Sequence, residues 1–178
     1  MNNLRLIVTN VCNRSCDGCC NKNWAYNPPE KMTIDNISKY DTVIITGGEP
    51  MLFPEKIVNF MDNFEFQKFI LYTASIGNKN KWLREVIYHP LLVGITFTIH
   101  DQKGFDDFRF LIKEVKLMIE HTDKNMSLRV NIFASDVQMK PIDMSGWNVK
   151  FIEWIKDCPL PPTEDFGILV KPWVKRKF

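Results

Sequence analysis

The chain has 178 residues, 45% of them hydrophobic and 25% charged, which is one domain's worth of sequence with enough apolar residues for a core. That balance excludes collagen-like, coiled-coil and disordered classes, and a formal net charge of +2 is too small to argue for nucleic acid. No apolar run reaches the roughly 18 residues of a membrane span, and the opening Met1-Asn-Asn-Leu-Arg5 lacks a signal peptide's apolar stretch. A single cytoplasmic domain over 1–178 is expected, its end (165–178) forming a basic tail.

Short, nearly continuous apolar runs predict strands at Leu4–Thr9, Thr42–Thr46, Lys68–Thr73, Val93–Ile99, Ser127–Phe133 and Val149–Ile155. Such runs suit strands of a parallel sheet buried on both faces. Between them lie predicted helices. Pro54–Phe64 opens with a proline, whose missing N–H costs nothing at a helix start. Lys79–Tyr88 repeats apolar residues at Trp82, Leu83, Val86 and Ile87. Phe105–His121 carries Phe108, Leu111, Ile112, Val115, Leu117, Met118 and Ile119 on one wide face. Strands alternating with helices predict an α/β fold built from βαβ units. Six strands fall short of the closed eight-strand barrel, which takes about 250 residues, so an open, partial (β/α)6 barrel of mostly parallel strands is expected. The proline-rich stretch from Pro159 reads as a rigid excursion before a last segment, Gly167–Lys171.

Of five cysteines, Cys12, Cys16, Cys19 and Cys20 crowd into nine residues while Cys158 stands apart. An odd, clustered set in a chain with no export signal points to reduced thiolates for metal or redox chemistry, not to a disulfide framework. Cys158 suits the role of a small buried hydrophobe. The C-x3-C-x2-C loop follows the first strand directly, and in parallel α/β folds ligands collect at the carboxyl ends of strands. A structural zinc site usually takes a second ligand pair, yet Cys158, His89, His100 and His121 show no paired spacing. Three thiolates would leave one iron of a [4Fe–4S] cluster open to a substrate or cofactor.

The second motif is Thr46-Gly47-Gly48-Glu49-Pro50, immediately after the second predicted strand. Its glycines permit close backbone approach and positive φ, although by itself the string also suits an ordinary strand-to-helix turn.

Together the two motifs resemble the radical S-adenosylmethionine superfamily. The resemblance implies that Cys12, Cys16 and Cys19 ligate a [4Fe–4S] cluster whose open iron chelates S-adenosylmethionine. It implies that Gly18, Gly47, Gly48, Glu49 and Pro50 lie at the cofactor, with the glycines and Glu49 at its methionine end. Weaker similarity adds Thr73 and Ser75 from Leu71–Ser75, His100 from Thr98–Asp101, Asn131 from Arg129–Ile132, and Ile152 beside the adenine from Phe151–Glu153. Each has a plainer explanation: His100 as a strand cap, Asn131 facing solvent, Glu153 on the surface, Val130 and Ile132 in the core, and Asp106, Asp107 and Lys113 on a solvated helix face. The implied activity is reductive cleavage of S-adenosylmethionine to a 5′-deoxyadenosyl radical that abstracts hydrogen from a substrate. Its implied partner is a flavodoxin- or ferredoxin-like electron donor.

The string Cys16-Asp-Gly18-Cys19-Cys20-Asn21-Lys22-Asn-Trp24 is similar to the anaerobic ribonucleotide reductase activases, which implies a protein substrate bearing a glycine. The chain departs from them at Val11, where a glycine normally precedes the first ligand. A small metabolite, nucleotide precursor or peptide is the alternative substrate, and a non-catalytic zinc-binding interaction domain is the alternative class. Only Cys20 and Cys158 remain beyond the triad, too few for a second cluster bound by cysteine alone.

Overall fold

The computed structural model describes residues 2–16, 19, 29–77, 81–133, 141–153 and 163–170. In chain order its elements are β1 (Asn3–Thr9), β2 (Glu30–Met32), α1 (Ile34–Ile37), β3 (Thr42–Gly47), a 3-10 turn at Pro50–Leu52, α2 (Pro54–Met61), β4 (Lys68–Thr73), α3 (Lys81–Tyr88), β5 (Leu92–Ile99), α4 (Gln102–His121), β6 (Ser127–Ile132), β7 (Asn148–Phe151) and β8 (Glu164–Leu169). The strands make one open, all-parallel sheet in the order β2-β8-β1-β3-β4-β5-β6-β7.

From β1 through β7 the order advances in one direction, apart from β2 at the far edge. Right-handed crossovers then deliver every helix to the same side of the sheet. The alternation of the strands agrees. Leu4, Leu6 and Val8 of β1, Val43 and Ile45 of β3, Phe69 and Leu71 of β4, Ile95, Phe97 and Ile99 of β5, and Leu128, Val130 and Ile132 of β6 join one core with the helices. Ile57, Phe60 and Met61 of α2, Leu83, Val86 and Ile87 of α3, and Phe105, Phe108, Leu111, Val115 and Met118 of α4 complete it. Phe108 stacks on Phe97 at 5.5 Å between centroids and meets Trp147 edge-on at 4.9 Å, pinning the approach to β7. Ile7 and Ile44 are buried too but stand on the opposite, helix-free face, outside that core.

Several expectations are corrected. The described residues hold eight strands, not six. β2, Glu-Lys-Met, is too short and polar to register as a strand, and β8 opens with Glu164-Asp165 before its apolar half. Residues 165–169, expected within a basic tail, instead lie in β8 between β1 and β2, where Gly167 faces the Met32 side chain at a distance no Cβ would allow. The apolar face of α4 is narrower than predicted: Leu117 and Ile119 are exposed, because the burying stripe follows the i, i+3, i+4 rhythm through Met118. Asp107 leaves the solvated face, being buried and paired with Lys103 Nζ at 2.9 Å. Val130 and Ile132 are core, and Glu153 and Lys113 are exposed, as expected. Among the described residues no helix is long and apolar enough to cross a membrane. The segment from Pro159 and residues 171–178 lie outside the described residues, as do Cys20 and Cys158.

Candidate active site

The candidate residues collect where β1, β3, β4 and β5 end. The register of β1 against β3 slips by one residue between Ile7 and Thr9, so that Thr9 faces Gly47 as the cysteine loop begins. Two backbone hydrogen bonds then clamp that loop to the glycine motif: Gly48 N–H donates to the Thr9 carbonyl (2.6 Å) and Glu49 N–H to the Val11 carbonyl (2.8 Å). Both glycines are required by this clamp. Gly47 has φ 131°, and a Cβ on either residue would overlap backbone oxygen, that of Thr9 or of Val11.

Among the described residues the loop carries three cysteines outside any disulfide, with Cys12 exposed and Cys16 and Cys19 half-buried. Cys19 N–H donates to the Cys16 carbonyl at 3.3 Å, turning the chain back on itself. Burial, then the neighbouring Cys19, pushes the Cys16 thiol up, while Arg14 opposes the shift. As placed, no three Cys, His, Asp or Glu side chains among the described residues already form a metal-holding group.

Arg14, between the first two cysteines, is the tie that the sequence reading missed. Its Nη1 donates to Asp101 Oδ2 (2.5 Å) and its Nη2 to the Ala74 carbonyl (3.0 Å), joining the loop to the ends of β4 and β5. Asp101 holds the other side of the arrangement by capping α4 through Gly104 N–H (2.7 Å). The available signal was that Arg14 is the one cation within Cys12–Cys19.

Glu49 does not project freely from its turn. It is 2% exposed, and its carboxyl accepts from Met51 N–H (2.9 Å) and Ala74 N–H (2.9 Å) while meeting the Thr73 hydroxyl at 2.5 Å. Burial holds this carboxyl above the usual carboxylate range, against those hydrogen bonds and Arg14. The Thr73 oxygen also lies 2.7 Å from the Ser75 carbonyl, and one hydroxyl proton cannot serve both acceptors. Pro50 is buried at the start of the 3-10 turn, where it needs no N–H partner.

His100 follows β5 and stacks on Phe133 at 5.1 Å with an 11° interplanar angle. Burial, then Arg14, lowers it to about 4, so the ring is neutral near pH 7. Thus Cys12, Cys16, Cys19, Gly47, Gly48, Glu49, Thr73, Ser75 and His100 share one edge of the sheet. Asn131 lies lower, on the helix-free face of β6, and Ile152 is half-buried just past β7, its N–H donating to the Ile132 carbonyl (3.0 Å). Gly18 lies outside the described residues. A cavity of about 10 Å³ behind Thr73 and Ser75, closed by Leu71, Leu83, Val86 and Leu111 on the core side, has room for one water at most.

Fold and site together define an open parallel α/β protein with a thiol-bearing loop clamped to the carboxyl edge of its sheet. Compared with protein-family models and with curated protein sequences, the chain matches none.

Proposed function

We propose that this chain is a radical S-adenosylmethionine enzyme whose sheet is part of an incomplete (β/α) barrel. The observation that carries the reading is the clamp between the two motifs: the loop bearing Cys12, Cys16 and Cys19 is hydrogen-bonded through Thr9 and Val11 to Gly48 and Glu49. A turn that merely reversed the chain would have no need of the thiol loop against it. The single-sided helices and one-directional strand order support the barrel geometry.

The donor set suits an iron–sulfur cluster: three cysteines outside any disulfide on one short loop, soft ligands of the type such clusters take, with the Arg14 cation beside them to offset thiolate charge. Cys12, Cys16 and Cys19 would hold the cluster through their sulfurs. When bound, cluster and S-adenosylmethionine would supply reductive one-electron cleavage of the sulfonium, with the electron provided by the external flavodoxin- or ferredoxin-like donor, and hydrogen-atom abstraction from substrate. The residues here bind, orient and shield. Gly47 and Gly48 leave the strand edge free of side chains, Thr73, Ser75 and Glu49 fix the turn under the methionine end, and neutral His100 on Phe133 walls the β5–β6 side.

Replacing each of Cys12, Cys16 and Cys19 with alanine tests the ligand set. Each variant should lose reconstituted iron and deoxyadenosine formation; wild-type levels of both in all three would overturn the reading. The two substrate classes that the sequence offers, a partner protein's glycine and a small metabolite or nucleotide precursor, are separated by co-expression with a glycyl-radical protein. A glycyl doublet in electron paramagnetic resonance assigns the first, and its absence counts against it.

A further inference from the structure

On the helix-free face of the sheet, the strands β4 to β7 carry a patch of which only Asn131 is among the proposed cofactor residues. Register places Tyr72, Thr96 and Arg129 side by side on β4, β5 and β6, and Thr98, Asn131 and Lys150 in the next row on β5, β6 and β7. Their neighbours Leu71, Ile95, Phe97, Val130 and Ile132 point into the core, so the five side chains on β4, β5 and β6 face the other way, and pairing with Asn131 puts Lys150 on the same face. The patch contains two cations, two hydroxyls, a phenol and an amide, and no carboxylate.

Arg129 is its centre. Its Nε is buried and has no hydrogen-bond partner among the described residues. No ion pair to a carboxylate is made by Arg129 there either, whereas Arg5, further along the same face, is neutralised by Glu164 at 2.8 Å and lies over the Tyr72 ring. A buried N–H on a permanently charged group stays costly until something accepts from it. The guanidinium offers Nε and one Nη as a parallel pair, a geometry that fits the two oxygens of a carboxylate or a phosphate. Thr96, only 3% exposed, stands next to it, and Lys150 adds charge from the adjoining strand.

We propose that Arg129, with Thr96 and Lys150, binds an anionic group, carboxylate or phosphate, of the substrate. The inference rests on the proposed function for the word substrate: the Arg129 row lies one residue below the end of β4 and three below the ends of β5 and β6, about 3–10 Å from the edge that holds the cofactor residues. A substrate anchored there by its anion presents its remaining atoms toward that edge.

The test reads the arginine Nε–H resonances of the full chain by ¹H–¹⁵N correlation, with the Arg129 signal assigned by its loss in Arg129→Lys. Inorganic phosphate and acetate are titrated separately, with chloride replaced to hold ionic strength constant. A saturable shift of the Arg129 signal is expected, with its midpoint raised about tenfold in Lys150→Ala, a change at an exposed position that leaves the fold intact. A response to phosphate alone assigns a phosphorylated substrate, to acetate alone a carboxylate, and to both the shared chemistry. No shift with either anion, or a shift that Lys150→Ala leaves untouched, overturns the proposal. The readout needs neither iron nor S-adenosylmethionine, so a silent Arg129 signal refutes the anion site alone, and missing deoxyadenosine refutes the radical chemistry alone.

Discussion

Gly48→Ala is the most informative single perturbation of the clamp. Its Cβ would overlap the Val11 carbonyl, and the clash is with backbone, so neither side can yield by a rotamer change. Relief requires the cysteine loop to lift, losing the Gly48-to-Thr9 and Glu49-to-Val11 hydrogen bonds. Two such bonds are worth about 2 kcal/mol together, and overpacking a filled contact adds about 1 kcal/mol or more. A loss of about 3 kcal/mol follows, or roughly 6–12 °C in Tm for a chain of this length. Gly146→Ala is the control: it has φ +81° but open space around its Cβ, so it bears only the conformational cost of about 1–2 kcal/mol. Urea unfolding and iron content after reconstitution are the assays. Gly48→Ala should unfold earlier than the control and bind less iron. Equal stabilities, or full iron in Gly48→Ala, would refute the clamp as the device that positions the thiols.

Three further outcomes are expected. Arg14→Met removes the ties to Asp101 and the Ala74 carbonyl and should cost about 1–2 kcal/mol in urea unfolding, discounted because Asp101 is half exposed; Arg14→Lys should recover part of it. Glu49→Ala strands the Thr73, Ala74 and Met51 donors and should cost about 2–4 kcal/mol, read as a lowered Tm; a loss below about 0.5 kcal/mol would show that the carboxyl does not hold the turn. His100 titrates at about 4 when folded, below its ordinary 6.5. The unfolded chain therefore takes up the proton first, and stability falls as pH drops from about 6.5 toward 4. The slope is at most about 1.4 kcal/mol per pH unit and is reduced by partial solvation. His89, also lowered by burial, adds the same sign. His100→Asn should flatten this acid limb in urea unfolding; an unchanged limb contradicts the assignment.

The central strands were legible because each carries closely spaced apolar residues that bury against the helices: β1, β3, β4, β5 and β6 lie within a residue or so of where the sequence places them. β2 and β8 were not, since their short polar starts become strands only by pairing with each other and with β1, a contact between the two ends of the chain that no local pattern encodes. The thiol loop was visible from spacing alone, and the glycine motif from its place after a strand. Glu49's burial was not, because two of its three partners, Thr73 and Ala74, come from the end of β4, 24 and 25 residues away, and only Met51 N–H is local. Arg14 and Arg129 escaped because a lone cation in sequence is usually solvated, and only tertiary placement shows one bridging strand ends and the other half-buried beside Thr96 with its Nε enclosed.

The central claim is tested most directly by anaerobic reconstitution of the full chain with iron and sulfide, followed by dithionite and S-adenosylmethionine, with 5′-deoxyadenosine assayed by chromatography. The account predicts that product forms with about four irons per chain, the content of one [4Fe–4S] centre. Zinc retained in place of iron, with no deoxyadenosine under reducing conditions, would contradict it and make the thiol loop a structural metal site.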